Sequence, residues 1–167
     1  MNGSPQPRIL VVAVGNADRA DDGVGPRVAS RLEGRLPPDS ELVVSGGDML
    51  GLVDRWRGCD ALVCVDASAP LGAPGKIRRI DAWREDLPPG RPGASSHAFG
   101  LAETIALARE LRTLPGTVIL YAVEGACFDA GAAMTPAVAE SAAEVAGRVL
   151  AELRQLSLAP METASDA

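Results

Sequence analysis

Short apolar runs recur along the chain, and most of them end in a turn that is followed by apolar residues at helical spacing. The runs that predict strands are 8–15 (RILVVAVG), 41–47 (ELVVSGG), 60–67 (DALVCVDA) and 117–125 (TVILYAVEG). The first, third and last are continuous enough in branched apolar residues to predict strands that are covered on both faces. A further run, KIRRIDA at 76–82, lies between loops rich in proline and glycine and predicts a short, half-exposed edge strand.

Helical spacing appears after each of the first two strands. Val24, Val28, Leu32 and Leu36 follow the first strand and predict the first helix. The second helix is predicted within 48–58 (DMLGLVDRWRG), with Asp48 as its N-cap and Gly58 as its stop.

Two more helices are predicted in the second half of the chain. The expected apolar face of the third comprises Phe99, Leu101, Ile105 and Leu111. Its expected N-cap is Ser95 or Ser96. The last helix is predicted over 135–156, with Thr135 as its N-cap and Pro136 at its first position.

Strands that alternate with helices indicate an α/β fold, in which a mainly parallel sheet lies between helices on both faces. We expect a single domain over 8–156, with flexible tails at 1–7 and 157–167. Ligands of such sheets bind at the carboxyl ends of the strands. The segments at those ends are the loop 15–22, the turn 45–48, the loop after Asp66 and the segment around Glu124.

Composition excludes several function classes. The 167 residues carry a net charge of -6, which argues against nucleic-acid binding because such surfaces cluster Lys and Arg. No segment approaches the roughly 20 apolar residues of a membrane span. Cys59, Cys64 and Cys127 lack CxxC spacing, which favours buried thiols in a reducing compartment over a disulfide framework. We therefore expect a cytoplasmic protein that binds neither membranes nor nucleic acid.

A glycine turn after a first strand often binds a dinucleotide or a phosphate, but the residues of this turn do not match that function. The chain lacks GxGxxG and lacks GxxxxGK followed by Ser or Thr. Asp18, Asp21 and Asp22 would also repel a pyrophosphate. The sequence therefore disfavours a nucleotide-binding enzyme.

Acidic residues and the only histidine of the chain stand near the predicted strand ends. Asp22 begins the first helix, Asp66 ends the third strand, and His97 lies in a loop before a helix. Two carboxylates and one imidazole leave coordination positions open, as in catalytic sites of borderline divalent metals. Structural roles are the alternatives: a helix N-cap for Asp22, hydrogen bonds to backbone amides for Asp66, and a loop or capping role for His97.

Four segments, taken together and in this order, resemble the hydrogenase maturation endopeptidases, which trim the large subunit of nickel–iron hydrogenases. They are ILVVAVGNADRADDGVG (9–25), VCVDA (63–67), SSHAFGLAE (95–103) and EGACFDAGAAMTPAV (124–138). The resemblance runs from about Arg8 to Leu153. Its most specific parts are the GN…DDGVG block and the His-x-x-Gly-Leu-Ala block when both are present.

The resemblance implies a twisted, mainly parallel five-stranded sheet between helices. It implies removal of a C-terminal extension from a hydrogenase large-subunit precursor after nickel has been inserted. By motif position, the family's metal-contacting and catalytic residues fall on Asp22, Asp66 and His97. The nickel would be carried by the precursor, so the free enzyme need not hold it tightly. The expected partner is that precursor, and the enzyme itself is expected to be a monomer.

The neighbouring aspartates have different expected roles. Asp22 is expected to reach toward the metal, Asp21 to cap the first helix, and Asp18 to face solvent. A serine or cysteine nucleophile is not indicated, because GxSxG is absent. Activation of a water by the metal is a hypothesis that the sequence does not test.

The turn after the second strand departs from the family's pattern. Relatives often carry Asp-Gly-Gly-Thr there, whereas this chain has SGGD at 45–48, and we interpret Asp48 as a helix N-cap. The departure supports an alternative function, a non-proteolytic metal-sensing or metal-binding protein on the same scaffold. The long segment 83–97 is expected to be either a flap beside the substrate cleft or a variable surface loop.

Overall fold

The computed structural model describes residues 7–90 and 100–159. Its five strands are β1 (Ile9–Val14), β2 (Ser40–Ser45), β3 (Ala61–Ser68), β4 (Ile77–Asp81) and β5 (Thr117–Glu124). Its helices are α1 (Val24–Leu32), α2 (Met49–Trp56), α3 (Leu101–Glu110) and α4 (Pro136–Leu158), and a short 3-10 helix at Ala20–Gly23 precedes α1.

The strands form one sheet in the order β2-β1-β3-β5-β4. The first four strands of that order are parallel, and β4 pairs antiparallel with β5 at the edge. β1 is buried along its whole length because it lies inside the sheet, whereas the edge strands β2 and β4 are partly exposed. The mainly parallel five-stranded sheet and the half-exposed edge strand are therefore confirmed.

Two separate apolar cores cover the two faces of the sheet. Val63 and Val65 of β3 pack with α1 and α4 on one face. Leu62 and Cys64 pack with α2 and α3 on the other. This alternation follows from the two-residue period of a strand, and it confirms the three-layer arrangement.

The first helix is shorter than its apolar spacing predicts. Leu32 is its last residue, because Glu33 leaves the helical conformation and Gly34 takes a φ of +72°. Leu36 therefore lies outside the helix, although it still packs, partly buried, against the core. The second helix ends at Trp56, and Gly58 follows with a φ of +78°, which confirms its predicted stop.

The ends of the last two helices correct the prediction in three places. Gly100 holds the N-cap position of α3, so the prediction of a Ser95 or Ser96 cap is wrong; both serines and Phe99 lie outside the described residues. Leu111 follows the end of α3 and is 59% exposed, so it does not belong to the core. α4 begins with Thr135 and Pro136 as predicted but extends to Leu158, two residues past the expected domain boundary.

Within the described residues, no helix is both long enough and apolar enough to span a membrane.

Candidate active site

The carboxyl ends of the four parallel strands form one edge of the sheet, called here the carboxyl edge. The strand register aligns the last residue of β1, Val14, with Ser45 of β2. Ala13 aligns with Val65 of β3, and the next residue along β3, Asp66, pairs with Ala122 of β5. The loops that follow these strands therefore emerge side by side, as the topology rule for parallel sheets requires.

Asp22 lies on the carboxyl edge, in the 3-10 helix that follows the β1 loop. It is almost fully buried, and its Oδ2 accepts a hydrogen bond of 2.9 Å from the backbone N–H of Asn16. It does not occupy the N-cap position of α1, which Gly23 holds. Asp22 is thus not the N-cap residue of α1, and its carboxylate is bonded within the loop after β1.

Asp66 lies near the carboxyl end of β3 and is partly buried. By strand alternation it is on the same face of the sheet as Leu62 and Cys64, the face that α2 and α3 cover. Complete burial, and secondarily the negative charge of Asp66, raise the pKa of the Cys64 thiol. Cys64 is therefore a neutral, inert thiol, as is typical of a cysteine in a core.

Asp21 has a role that the sequence did not predict. Its carboxylate is fully buried and accepts hydrogen bonds from the backbone N–H groups of Ala126 (2.8 Å), Cys127 (3.0 Å) and Thr135 (2.7 Å). The Thr135 hydroxyl donates to both carboxylate oxygens at 2.9 Å. The prediction that Asp21 caps the first helix is wrong, because its partners lie on the loop that joins β5 to α4.

The ionisation of Asp21 follows from these contacts. Burial would raise the pKa of its carboxyl, but the hydrogen bonds from Ala126, Cys127 and Thr135 outweigh burial and leave the pKa below its ordinary value. A charged Asp21 therefore sits against the start of α4. Asp18, in contrast, is exposed, which confirms its expected position.

The backbone of the β1 loop is tightly closed around these aspartates. Gly15 has a φ of +139°, and a Cβ there would overlap the backbone carbonyl oxygen of Asp22. Ala20 is held at a φ of +47°, in the left-handed region that costs a non-glycine residue roughly 1–2 kcal/mol. The glycine at the end of β1 is thus required for close backbone packing rather than for phosphate binding.

Glu124, at the end of β5, also braces a loop. Its Oε1 accepts hydrogen bonds from the backbone N–H groups of Leu71 and Ala73, both at 2.6 Å. Burial would raise the pKa of Glu124, and these backbone hydrogen bonds lower it below its ordinary value. Glu124 therefore fixes the loop after β3, although the sequence indicated it only as a strand end.

The SGGD turn after β2, at 45–48, has a structural role. Asp48 accepts a hydrogen bond of 2.9 Å from the backbone N–H of Gly51, which confirms that it is the N-cap of α2. The Ser45 carbonyl oxygen accepts a bond of 3.0 Å from the N–H of Gly15, so this turn is joined to the β1 loop.

His97 lies outside the described residues, but α3, which follows it in the chain, is described. Because β4 is antiparallel, its last residues lie at the amino ends of the parallel strands, opposite the carboxyl edge. The Arg109 guanidinium, near the end of α3, donates to the carbonyl oxygen of Ala82, which directly follows β4. α3 therefore runs away from the carboxyl edge, and Gly100 at its start lies toward that edge. Among residues 7–90 and 100–159, no group of three or more His, Cys, Asp or Glu side chains is placed to hold a metal ion.

Comparisons with known proteins agree with the fold and with the motifs. A family model described as hydrogenase maturation protease matches residues 26–152. The hydrogenase expression/formation protein HupD of Thiocapsa roseopersicina is 34% identical over 140 residues, 80% of this chain but only 62% of its own length. The chain thus spans less than two thirds of that relative. The hydrogenase 2 maturation protease of Escherichia coli is 29% identical over 153 residues, 89% of this chain and 92% of its own.

Solved structures give the same result for the architecture. The hydrogenase maturating endopeptidase HybD from E. coli has a TM-score of 0.73 at 27% identity, covering 89% of this chain and 93% of its own. The hydrogenase maturation protease HycI from Thermococcus kodakarensis has a TM-score of 0.68 at 22% identity, covering 90% and 95%, and so supports the fold.

Proposed function

The chain belongs to the hydrogenase maturation protease family, and we propose that it is an endopeptidase that removes the C-terminal extension of a nickel–iron hydrogenase large-subunit precursor after nickel insertion. The precursor is the proposed partner, and its nickel is part of the substrate rather than a resident cofactor. Recognition of that nickel is assigned to Asp22, Asp66 and His97.

The observation that carries this proposal is the placement of Asp22. A nearly fully buried carboxylate is held on the backbone N–H of Asn16 at the end of β1. The neighbouring strand β3 carries Asp66 near the same edge. Carboxylates at the carboxyl ends of adjacent strands are suited to a divalent cation, because ligands of parallel sheets bind in the crevice at those ends and carboxylate oxygens can serve as metal ligands.

The assignment of His97 rests on chain connectivity. Gly100 begins α3 toward the carboxyl edge, and three residues can span at most about 10–11 Å. A neutral imidazole is a common ligand of nickel and similar metals. His97 is therefore a candidate third ligand that would bring α3 and the strand ends to one metal.

In this proposal the metal marks a precursor that is ready for cleavage. Nickel already bound by the precursor would accept the two aspartates and the histidine as further ligands, so an unloaded precursor would dock poorly. Such a metal can also polarise a scissile carbonyl or lower the pKa of an attacking water. The inert Cys64 thiol fits this chemistry better than a cysteine nucleophile does.

The test is mass spectrometry of a large-subunit precursor incubated with this protein, once nickel-loaded and once nickel-free. We expect a single C-terminal truncation with nickel only. Asp22→Asn, Asp66→Asn and His97→Ala should each abolish truncation, with circular dichroism confirming that the variants fold. Asp18→Asn is the matched control, because Asp18 lies in the same loop but is exposed.

Each contrary result has a definite meaning. Truncation that is equal with and without nickel would reject nickel as the recognition signal. No truncation of the loaded precursor by folded protein would favour the metal-sensing or metal-binding alternative on the same scaffold.

A further inference from the structure

We propose that Asp21 is a positioning residue, which holds the carboxylate of Asp22 in the orientation that meets the substrate's nickel. The proposal rests on the function proposed above for Asp22. Asp21 itself points away from that carboxylate, into the loop between β5 and α4. Its effect on the reaction would therefore be transmitted through the backbone that the two aspartates share.

The first part of the argument is the strength of the anchor. The Asp21 carboxylate accepts from three backbone N–H groups and one hydroxyl, and the Asp21 backbone N–H donates to the Cys127 carbonyl oxygen at 3.0 Å. A residue that is bonded at both its side chain and its backbone cannot rotate. Because all of these partners lie between Ala126 and Thr135, Asp21 joins the β1 loop to the start of α4.

The second part is the coupling of this anchor to Asp22. The Asp22 backbone N–H donates to the Arg19 carbonyl oxygen at 3.0 Å, and its Oδ2 accepts from the Asn16 N–H at 2.9 Å. Gly23, which follows Asp22, packs so closely that a Cβ there would lie 3.1 Å from the Cα of Ala17. These contacts tie the loop together around Asp22, so we expect release of Asp21 to loosen the Asn16–Asp22 hydrogen bond.

The strained backbone before the two aspartates supports the same conclusion. Ala20 is buried and held at a positive φ, which persists only where surrounding contacts fix the chain. Asp21, the next residue, is fixed by the hydrogen bonds of its side chain and of its backbone N–H. Capping of α4 does not account for this anchor. A capping side chain accepts from N–H groups of the first helical turn, whereas Asp21 accepts from the N–H of the N-cap residue, Thr135.

The test compares Asp21→Asn with Glu152→Gln, which alters a buried carboxylate on α4 whose hydrogen-bond donors are Arg79 of β4 and Tyr121 of β5. In Asp21→Asn the new amide N–H group opposes the N–H donors of Ala126 or Thr135. Amide hydrogen exchange by NMR, at a temperature where both variants stay folded, reports on the Asn16 N–H. We expect this exchange to be about 10–100-fold faster in Asp21→Asn and unchanged in Glu152→Gln.

Processing kinetics supply the second readout. A variant that is only less stable has fewer folded molecules, which lowers the apparent kcat and leaves KM unchanged. A displaced Asp22 weakens docking of the loaded precursor, so Asp21→Asn should raise KM by about 10–100-fold. Thr135→Val, which removes only the hydroxyl donor, should give a smaller change in the same direction, and Thr135→Ser should behave as the wild type.

The outcomes separate this inference from the proposed function. Asn16 exchange and KM that match those of Glu152→Gln would overturn the positioning role. Wild-type protein that does not cleave the loaded precursor would overturn the proposed function, while faster Asn16 exchange in Asp21→Asn would still support the hold of Asp21 on the Asp22 carboxylate. If Asp21→Asn does not fold, Thr135→Val and Thr135→Ser carry the same comparison.

Discussion

The two ends of α4 are each attached to the rest of the protein by a buried carboxylate, but the partners differ in kind. At the start of the helix, Asp21 accepts from backbone N–H groups and from Thr135. Toward its end, Glu152 accepts two hydrogen bonds from the Arg79 guanidinium, at 2.7 and 2.8 Å, and one from the Tyr121 hydroxyl at 2.7 Å. The first set fixes the main chain of a loop, and the second joins the helix to β4 and β5.

This difference separates positioning from attachment. Bonds to backbone N–H groups determine where the chain runs, so the Asp21 cluster defines the geometry of the β1 loop that carries Asp22. Side-chain partners such as Arg79 can move without a change in the fold, and its side chain is 47% exposed. At the start of α4, the buried carboxylate of Asp21 therefore positions the loop of the candidate site. Toward the end of α4, the buried carboxylate of Glu152 only attaches the helix to the sheet.

The largest expected effect is the loss of the Asp21 anchor. Asp21→Ala should lower the free energy of unfolding by about 3–5 kcal/mol, because it removes a fully buried carboxylate and leaves three partly buried backbone N–H groups without their acceptor. Urea denaturation followed by circular dichroism measures this loss. The control is Asp18→Ala at an exposed position. If Asp21→Ala lowered the free energy of unfolding as little as the control does, the Asp21 hydrogen bonds would not fix the start of α4 more firmly than its other end.

A smaller effect is expected at the other end. A double-mutant cycle with Arg79→Ala and Glu152→Ala should give a coupling energy of about 1–2 kcal/mol, reduced from that of a fully buried pair by the exposure of Arg79. Urea denaturation of the four proteins provides the numbers. Exchange of the Asn16 amide should not change in either single variant, and a change there would show that the two ends are coupled.

The smallest expected effect is on the stability of the fold at low pH. The two carboxylates should lose their stabilising effect at different pH values. The hydrogen bond from Arg79 lowers the pKa of Glu152, and the Asp21 pKa is also below its ordinary value. The unfolded chain therefore takes up protons first as pH falls, so each carboxylate stabilises the fold above its ordinary pKa and loses that effect below it. The loss should begin near pH 4.5 for Glu152 and nearer 3.8 for Asp21.

Urea midpoints measured from pH 6 down to about pH 3 would check this order. Glu152→Gln should flatten the upper part of the decline, and Asp21→Asn the lower part. A decline that both variants leave unchanged would assign acid sensitivity to other groups.

Much of the fold could be predicted from the sequence, because burial imposes its own periodicity on each element. The apolar run of β1, the spacing of Val24 and Val28 on α1, and the Asp48 cap of α2 all follow from interactions within a few residues. The predictions were wrong at helix ends. The helical spacing of apolar residues continues to Leu36 although α1 ends at Leu32, and α3 begins after Gly100 rather than after a serine cap. There the conformation is set by contacts that spacing does not encode.

The candidate site was predictable only in part. The acidic loop and the strand-end position of Asp66 followed from sequence order and the rule for parallel sheets. The role of Asp21 did not, because its partners lie more than 100 residues away in the chain, at separations of 105, 106 and 114. Two adjacent aspartates are equivalent in sequence, and only a long-range partner can distinguish them.

The sequence by itself determined the α/β class, the parallel strands, and the family to which the motifs belong, since all of these depend on local pattern and residue type. The tertiary structure decided which carboxylates act as braces. Asp21 and Glu124 each receive backbone N–H groups from another loop, an arrangement that exists only once β1, β3 and β5 are side by side. The physical reason is that a buried charge needs donors, and its donors come from whichever segments the fold brings to it.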